Sequence, residues 1–95
     1  MGEVTELKPK DQKEQASEIL AFLNLKAGRN YRSVDVNINF IRARLQSGIT
    51  MQQLRAIVAM KCREWKDDPV MNKFLRPATL FNKEKCEQYY GELDL

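Results

Sequence analysis

The chain lacks the residues from which most catalytic and metal sites are built. It contains no histidine, only two cysteines and no glycine-rich loop of the kind that cradles phosphate groups. Histidine is the commonest general base and metal ligand, and Cys62 and Cys86 are too far apart in sequence to form a metal or redox motif. We therefore expect a binding protein, neither an enzyme nor a metalloprotein, with no cofactor and with two reduced, packed thiols. A disulfide between them is the alternative.

Long apolar runs are also missing. No stretch approaches the roughly 20 apolar residues of a membrane span, and the N-terminal stretch MGEVTELKPKDQKEQ is too polar for a secretory signal. The sequence thus predicts a cytoplasmic protein without a membrane partner. The first dozen residues lack periodicity and contain Pro9, which indicates a flexible leader or linker at 1–12. We expect one helical domain at 13–92 and a short tail at 93–95.

Charge of both signs is present, but it is unevenly distributed. Residues 26–85 hold thirteen basic and five acidic side chains, whereas acidic residues are in excess before and after this segment. A basic body of this kind is steered towards nucleic acid or towards an acidic protein surface. The alternative is a solvated Lys/Arg face, which small helical domains commonly carry.

Apolar periodicity predicts an all-α fold. One stripe indicates a first helix over about 12–26, which Gly28 ends. A second helix is expected over about 34–47, with Ser33 as its N-cap and Gly48 in the left-handed conformation beyond its end. Residues 34–40 also alternate like a strand, but no other segment offers a partner strand. We therefore predict helix and no β-strand there.

The second half of the chain carries clearer boundary signals. Thr50 and Gln53 form a capping box at the start of a third helix that ends near Lys66. The signals for a following strap and a last short helix are Asp68 and Pro69, Pro77, and then Asn82 and Gly91. The prediction is a compact small helical domain of four to five helices, in which a C-terminal strap and short helix close a three-helix bundle.

The segment EWKDDPVMNKFLRPATLF (64–81) concentrates large apolar side chains between two turn signals. Aromatic residues, methionine and arginine dominate interface energetics, so this segment could form a docking surface. A thin core equally needs such a segment to fold back over it. We assign the following residues to the core and strap, with Trp65 largely buried among the others: Trp65, Phe74, Leu75, Pro77, Leu80 and Phe81.

Two kinds of binding surface are suggested by the polar residues. The turn LQSGIT resembles a helix-turn-helix, which would place Gln52, Gln53 and Arg55 where a reader contacts bases, although any helical hairpin with a glycine link looks the same. The second surface is a basic face from which partner or DNA contacts would come. Because residues 42 and 44 are about 200° apart on a helix, at least one of them faces away. The candidates are Arg42, Arg44, Arg55, Lys61, Arg63 and Lys66.

Several stretches carry a resemblance to a known family. They are ILAFLNLKAGRNYR (19–32), IRARLQSGIT (41–50), a helix ending in EW, and DPVMNKFLRPATLF (68–81). These stretches resemble the conserved C-terminal domain of phage replication proteins, the replisome organisers and lambda-O-like initiators of temperate phages. The resemblance covers about residues 16–91, and LRPATLF at 75–81 is its most specific part.

The resemblance implies a partner but no catalytic residues. In such proteins an N-terminal winged-helix domain usually binds the origin, and the C-terminal module joins the primosome. The implied function is docking onto the host replicative helicase or its loader, which recruits it to the phage origin in the bacterial cytoplasm. A DNA-binding accessory domain, for single strands or duplex, is the alternative that the charge suggests.

The chain departs from the family plan because it lacks the winged-helix domain. We expect either an excised module or a stand-alone phage protein. The second possibility leaves room for an inhibitor of a host replication or defence protein, which would use the same contacts with the opposite consequence.

Overall fold

The computed structural model describes residues 10–93, which fold into five α-helices and one short 3₁₀ turn. The helices are α1 (Lys10–Ala27), α2 (Asp35–Gln46), α3 (Met51–Trp65), α4 (Pro77–Leu80) and α5 (Lys83–Gly91), and the 3₁₀ turn spans Asn72–Phe74. This part of the chain contains no strand, so the predicted all-α class and the helix over 34–40 are both confirmed. No helix within it is long and apolar enough to cross a bilayer.

Helix α1 is the centre of the bundle, and α2 and α3 both pack against it. Its N-terminal turns lie beside the α2–α3 turn, and its last turn lies beside the C-terminal half of α3, so α1 and α3 run in the same direction. The α4 helix packs on α2, and α5 packs on α3 and α4, which closes the bundle as predicted. The buried stripe of α1 consists of Ala16, Ile19, Leu20, Leu23 and Ala27.

The capping signals at the second turn are confirmed in detail. The Thr50 hydroxyl accepts a hydrogen bond from the Gln53 backbone N–H (3.1 Å), and the Gln53 side chain accepts one from the Thr50 N–H (2.9 Å). Gly28 and Gly48 have φ values of 69° and 108°, a left-handed conformation that side-chain-bearing residues rarely adopt. Both helix ends that precede these glycines are therefore set by the sequence.

The predicted Ser33 cap of α2 is wrong. Val34 is the N-cap residue, and no side chain caps the helix there. The Asn37 side-chain amide instead donates to the Arg32 carbonyl at 2.8 Å, which fastens the preceding loop to the first turn. This bond satisfies the Arg32 carbonyl and does not replace the cap, whose side chain would accept from a backbone N–H of the first turn.

The ends of the predicted domain also shift. Helix α1 begins at Lys10, so residues 10–12 of the expected leader are helical, and residues 1–9 lie outside the described part. At the other end α5 continues through Gly91 and is capped by Glu92. Of the expected tail, Leu93 packs against the core, and 94–95 lie outside the description.

The conformation of the strap is set by the turn and capping residues from which the sequence predicted it. Asp68 accepts hydrogen bonds from the Val70 and Met71 N–H groups at 2.8 and 3.0 Å, and these bonds lower the pKa of its carboxyl group. Arg76 is extended (φ −153°, ψ 155°), as required before Pro77, which opens α4. Asn82 then caps α5 by accepting from two backbone N–H groups. The turn chemistry of the strap was therefore readable from the sequence.

Two side chains of the loop between α1 and α2 donate hydrogen bonds to backbone carbonyls of the strap. The Arg29 guanidinium donates to the Asn72 carbonyl at 2.8 Å, and the Tyr31 hydroxyl donates to the Leu75 carbonyl at 3.0 Å. The Asn24 side chain in turn bonds both the N–H and the carbonyl of Tyr31. The loop and the strap are consequently one connected unit, although more than 40 residues separate them in sequence.

The interior of the strap is buried, and its aromatic edge is partly exposed. Leu75, Leu80 and Phe81 are at most 1% exposed, and Pro77 is buried. Trp65 and Phe74 are intermediate in exposure and line one cleft. Most of the Trp65 side chain is covered, in keeping with the expectation, and Tyr89 of α5 supplies an aromatic contact that was not predicted.

Replacement of Phe81 should unfold the domain more readily than replacement of Trp65. Phe81 is 1% exposed, so Phe81→Ala leaves a cavity and should cost about 3–5 kcal/mol, whereas Trp65→Ala at a half-buried site should cost less than about 3 kcal/mol. Thermal denaturation followed by circular dichroism measures both, and the Phe81 variant should melt at least ~12 °C lower than the parent chain. A larger loss for Trp65→Ala would contradict this packing.

The two thiols are free and buried, as expected. Burial raises the pKa of Cys86 from 9.0 to about 11, against a smaller lowering effect of Arg44. The folded state thus holds this proton more tightly than the unfolded chain, so the stability that it contributes is present below the unfolded pKa and is lost as the pH rises towards the folded one.

We therefore expect the stability of the domain to fall in alkaline solution. Urea titrations at pH 8 and pH 10 should show a loss of about 1 kcal/mol through Cys86. The variant Cys86→Ala should lose most of this pH dependence, whatever its stability at pH 8. An equal fall in the parent chain and the variant would show that other groups are responsible.

Candidate interaction surface

Lys61 is not a surface residue, in contrast to the prediction. It is 4% exposed, and its ammonium donates to Glu92 at 2.7 Å and to Glu64 at 3.0 Å. The same nitrogen lies over the Tyr89 ring (4.6 Å from the centroid) and the Trp65 ring (5.1 Å). Lys61 therefore joins α3 to the end of α5, and two of its three N–H donors are used inside the domain.

The charge state of Lys61 follows from these contacts. Burial lowers the pKa of an ammonium, but the hydrogen bonds to Glu92 and Glu64 more than offset that effect, so the pKa of Lys61 is raised. The ammonium consequently stays charged throughout the physiological range. Trp65 and Tyr89 meet edge to face beside it, with ring centroids 5.9 Å apart and planes at 83°.

The two arginines of α2 are also less accessible than predicted. Arg44 is 9% exposed, and Arg42 is intermediate in exposure. The Nε atom of each is enclosed without a hydrogen-bond partner among the described residues. Arg44 points towards the start of α5, where it lies near Phe81 and Asn82. Arg44 is therefore not an exposed contact residue, and Arg42 is only partly exposed.

Two of the three residues that a helix-turn-helix would use as readers have contacts within the domain. Gln53 is used in the capping box and its amide also reaches the Tyr90 hydroxyl at 3.4 Å, while Arg55 lies 3.4 Å from Glu18 of α1. Of the three predicted readers, only Gln52 has no such internal contact in the described part. The Arg55 and Glu18 side chains are 43% and 62% exposed, so the helix-turn-helix interpretation stays a prediction.

Two of the predicted residues do meet on one surface. Arg63 and Lys66 are exposed on the last turns of α3, and Lys26 from the last turn of α1 lies beside them. The three cations line a groove of about 270 Å³ together with Ala59 and Cys62, and no acidic residue of the described part lines it. We call Lys26, Arg29, Arg63 and Lys66 the basic end of the bundle.

Cys62 lines the groove, and the cations around it affect the pKa of its thiol. Burial raises the pKa of Cys62, while Lys66, Lys26 and Arg29 each act to lower it. All three cations are therefore near enough to Cys62 to contribute a positive potential at one point. Of the four cations of the basic end, Arg29 is the one held by the strap, since its guanidinium donates a hydrogen bond to the Asn72 carbonyl.

Lys26 and Arg29 were not among the predicted contact residues. Lys26 belongs to the last turn of α1 and Arg29 follows Gly28, so both had a local signal as residues near a helix C-terminus. What could not be read locally was the parallel course of α1 and α3, which brings the two helix ends to the same end of the bundle.

An all-α domain with a basic end is thus defined by the described residues. Residues 19–91 match the family described as the conserved phage C-terminus, which covers well over half of the chain. The protein therefore belongs to this family of conserved phage C-terminal domains. No curated protein and no solved structure matches the chain.

The buried ammonium of Lys61 yields a test of the internal contacts. Lys61→Ala should lower the free energy of unfolding by about 2–4 kcal/mol, because it removes both the ammonium and a buried aliphatic stem. Lys61→Met keeps a stem of similar length and should cost less than Lys61→Ala, because it retains the buried packing and because Glu64 and Glu92 are about half exposed and can be solvated without the ammonium. Chemical denaturation measures both values, and an unaffected Lys61→Ala variant would contradict the burial.

Proposed function

We propose that the domain is a phage DNA-replication module that docks onto the host replicative helicase or its loader through the basic end. Membership in a family of conserved phage C-terminal domains supports a phage role. The resemblance of LRPATLF and the neighbouring stretches to replisome organisers and lambda-O-like initiators supports the link to replication. The basic end supports a partner with an acidic surface.

One observation carries the choice of surface. Lys26, Arg63 and Lys66 converge on one groove, and none of the described carboxylates is among its lining residues. Of the neighbouring acidic groups, Glu64 accepts from Lys61 and Asp68 caps the strap turn, whereas Asp67 is exposed next to Lys66. The four cations of the basic end outnumber this one exposed carboxylate, so the groove keeps an excess of positive charge that would steer an acidic partner to this end.

DNA is the second candidate, because the same cations could neutralise phosphates. The aromatic residues that would have to stack on its bases give it less support. The Tyr31 hydroxyl already donates to the Leu75 carbonyl. The Lys61 ammonium lies over the Trp65 ring, and Tyr89 packs against that ring nearly at a right angle. Binding to single-stranded DNA generally needs open aromatic faces as well as a cationic track. We therefore place protein docking first.

A third candidate is an inhibitor that occupies the same site on the loader or on another host protein. It uses the same basic end and differs only in what docking does to the partner. A helicase-loading assay separates recruiter from inhibitor, because the first increases and the second decreases helicase loading onto DNA.

Charge reversal at the basic end should weaken binding without unfolding the domain. We expect Arg63→Glu/Lys66→Glu to reduce affinity for the helicase or its loader at least tenfold, since both side chains are exposed and lie on the groove. Surface substitutions of this kind usually cost less than about 0.5 kcal/mol in stability. Isothermal titration calorimetry against each purified host protein, at two salt concentrations, measures the effect.

The matched control is Lys13→Glu/Lys83→Glu, which changes the net charge equally at exposed positions away from the basic end. It should bind nearly as well as the parent chain. Binding to neither host protein would refute the docking proposal, and equal losses in both double variants would reduce it to a nonspecific charge effect. Tight binding of duplex or single-stranded DNA at ~50 mM salt, lost with the Arg63/Lys66 reversal, would favour the second candidate instead.

A further inference from the structure

A second concave surface lies next to the basic end and is not used by the proposed charge contacts. Trp65, Met71, Phe74 and Tyr89, all half-buried, line a cleft of about 240 Å³ between the strap and α5. The other lining residues are Thr79, which is buried, and the exposed cations Arg76 and Lys85. We call this set the aromatic cleft. Within residues 10–93, no acidic side chain lines it.

The walls of the aromatic cleft are fixed rather than loosely packed. Lys61 is not a lining residue, so its ammonium holds the Trp65 and Tyr89 rings from outside the cleft while Glu92 and Glu64 hold the ammonium. On the other wall the Arg76 guanidinium lies over the Phe74 ring (5.2 Å) and donates through Nε to the Thr79 hydroxyl at 3.0 Å. Such pre-organisation reduces the entropic cost of binding.

The size and chemistry of the cleft define its occupant. A volume of about 240 Å³ is below the roughly 300–1,000 Å³ of sites for drug-sized ligands, but it suits one large apolar side chain. The rim carries Arg76 and Lys85 without a neutralising carboxylate, so the residues that flank such an anchor should be acidic. A bidentate guanidinium contact would suit a carboxylate in particular.

We propose that the aromatic cleft receives an apolar or aromatic anchor side chain from an acidic peptide segment of the protein partner. This inference rests on the proposed docking function and names its second contact. The two surfaces are continuous at Asn72, whose carbonyl accepts from Arg29 of the basic end and whose side chain reaches the Lys66 carbonyl at 3.5 Å. Met71, the next residue, lines the cleft.

A nucleobase is a poorer occupant on geometric grounds. Stacking requires an open, flat aromatic face. Trp65 and Tyr89 instead meet at 83°, which makes a concave corner, and the Lys61 ammonium lies over both rings. Such a corner encloses a rounded aliphatic or edge-on aromatic side chain more completely than it encloses a planar base.

The cleft can be tested with a defined probe. The probe is a synthetic, blocked peptide that has a central phenylalanine between aspartate and glutamate residues, titrated into the ¹⁵N-labelled chain. We expect saturable shifts at the Trp65 indole N–H and at the backbone of Phe74 and Tyr89. Replacing the central phenylalanine with alanine should weaken binding at least about tenfold, because the anchor's burial is lost.

Two charge-reversal variants of α5, one inside the cleft and one outside it, test the role of the rim charge. Lys85→Glu reverses a rim charge of the cleft, and Lys83→Glu reverses an exposed charge on the same helix turn outside the cleft. Both place a carboxylate near a helix N-terminus, which is favourable for the helix. Lys85→Glu should weaken the peptide severalfold, and it should also weaken the helicase or loader. Lys83→Glu should leave both affinities nearly unchanged.

Three outcomes would overturn the inference. They are the absence of shifts in the cleft, equal binding of the alanine peptide, and shifts there caused by an oligothymidylate but not by the acidic peptide. If a host protein binds and Lys85→Glu has no effect on it, the docking function stands and the cleft is not its anchor site. If neither host protein binds, the docking function fails, and the peptide titration still decides whether the cleft accepts an anchored acidic segment.

Discussion

Burial of the Lys61 ammonium is the constraint on which the C-terminal half of the structure depends. An ammonium removed from water is strongly unfavourable unless it is paired, so Lys61 requires carboxylates within hydrogen-bond distance. Glu64 supplies one from the next turn of α3, and Glu92 supplies the other from beyond α5. The second contact fixes where α5 ends, and it thereby fixes Tyr89 against Trp65. One buried charge thus sets the relative positions of α3, α5 and the aromatic corner between them.

Most of the local structure follows from short-range signals. The capping box at Thr50, the left-handed glycines and the extended residue before Pro77 each act over three or four residues, so their physics is contained in the sequence. The Ser33 cap failed because the helix begins one residue later than predicted, at Asp35, which puts the apolar Val34 in the N-cap position. Trp65 shows a different limit. Its aromatic contact is Tyr89 of α5, 24 residues away in sequence, and periodicity along α3 contains no information about that contact.

The candidate surface was harder to predict than the fold, because a basic residue can be solvated, paired or buried with the same sequence signature. Of six predicted contact residues, Arg63 and Lys66 lie on the basic end. Lys61 is hydrogen-bonded inside the domain and Arg44 is buried. Arg55 lies beside Glu18, and Arg42 is half-buried. The decisive information is that α1 runs parallel to α3, which brings Lys26 to the same groove. Helix direction is a property of the whole bundle, and no local motif encodes it.

The segment at 64–81 was expected either to close the core or to form a docking surface, and its residues divide between these two roles. Leu75, Leu80 and Phe81 point inward and close the core, and the α1–α2 loop holds their backbone through Arg29 and Tyr31. With stability supplied from the inside, Trp65 and Phe74 need not be fully buried to keep the fold. Half-buried aromatic side chains that are already fixed by Lys61 and Arg76 lose little further freedom when a partner covers them. The same strap can therefore support the fold with one face and remain available for recognition with the other.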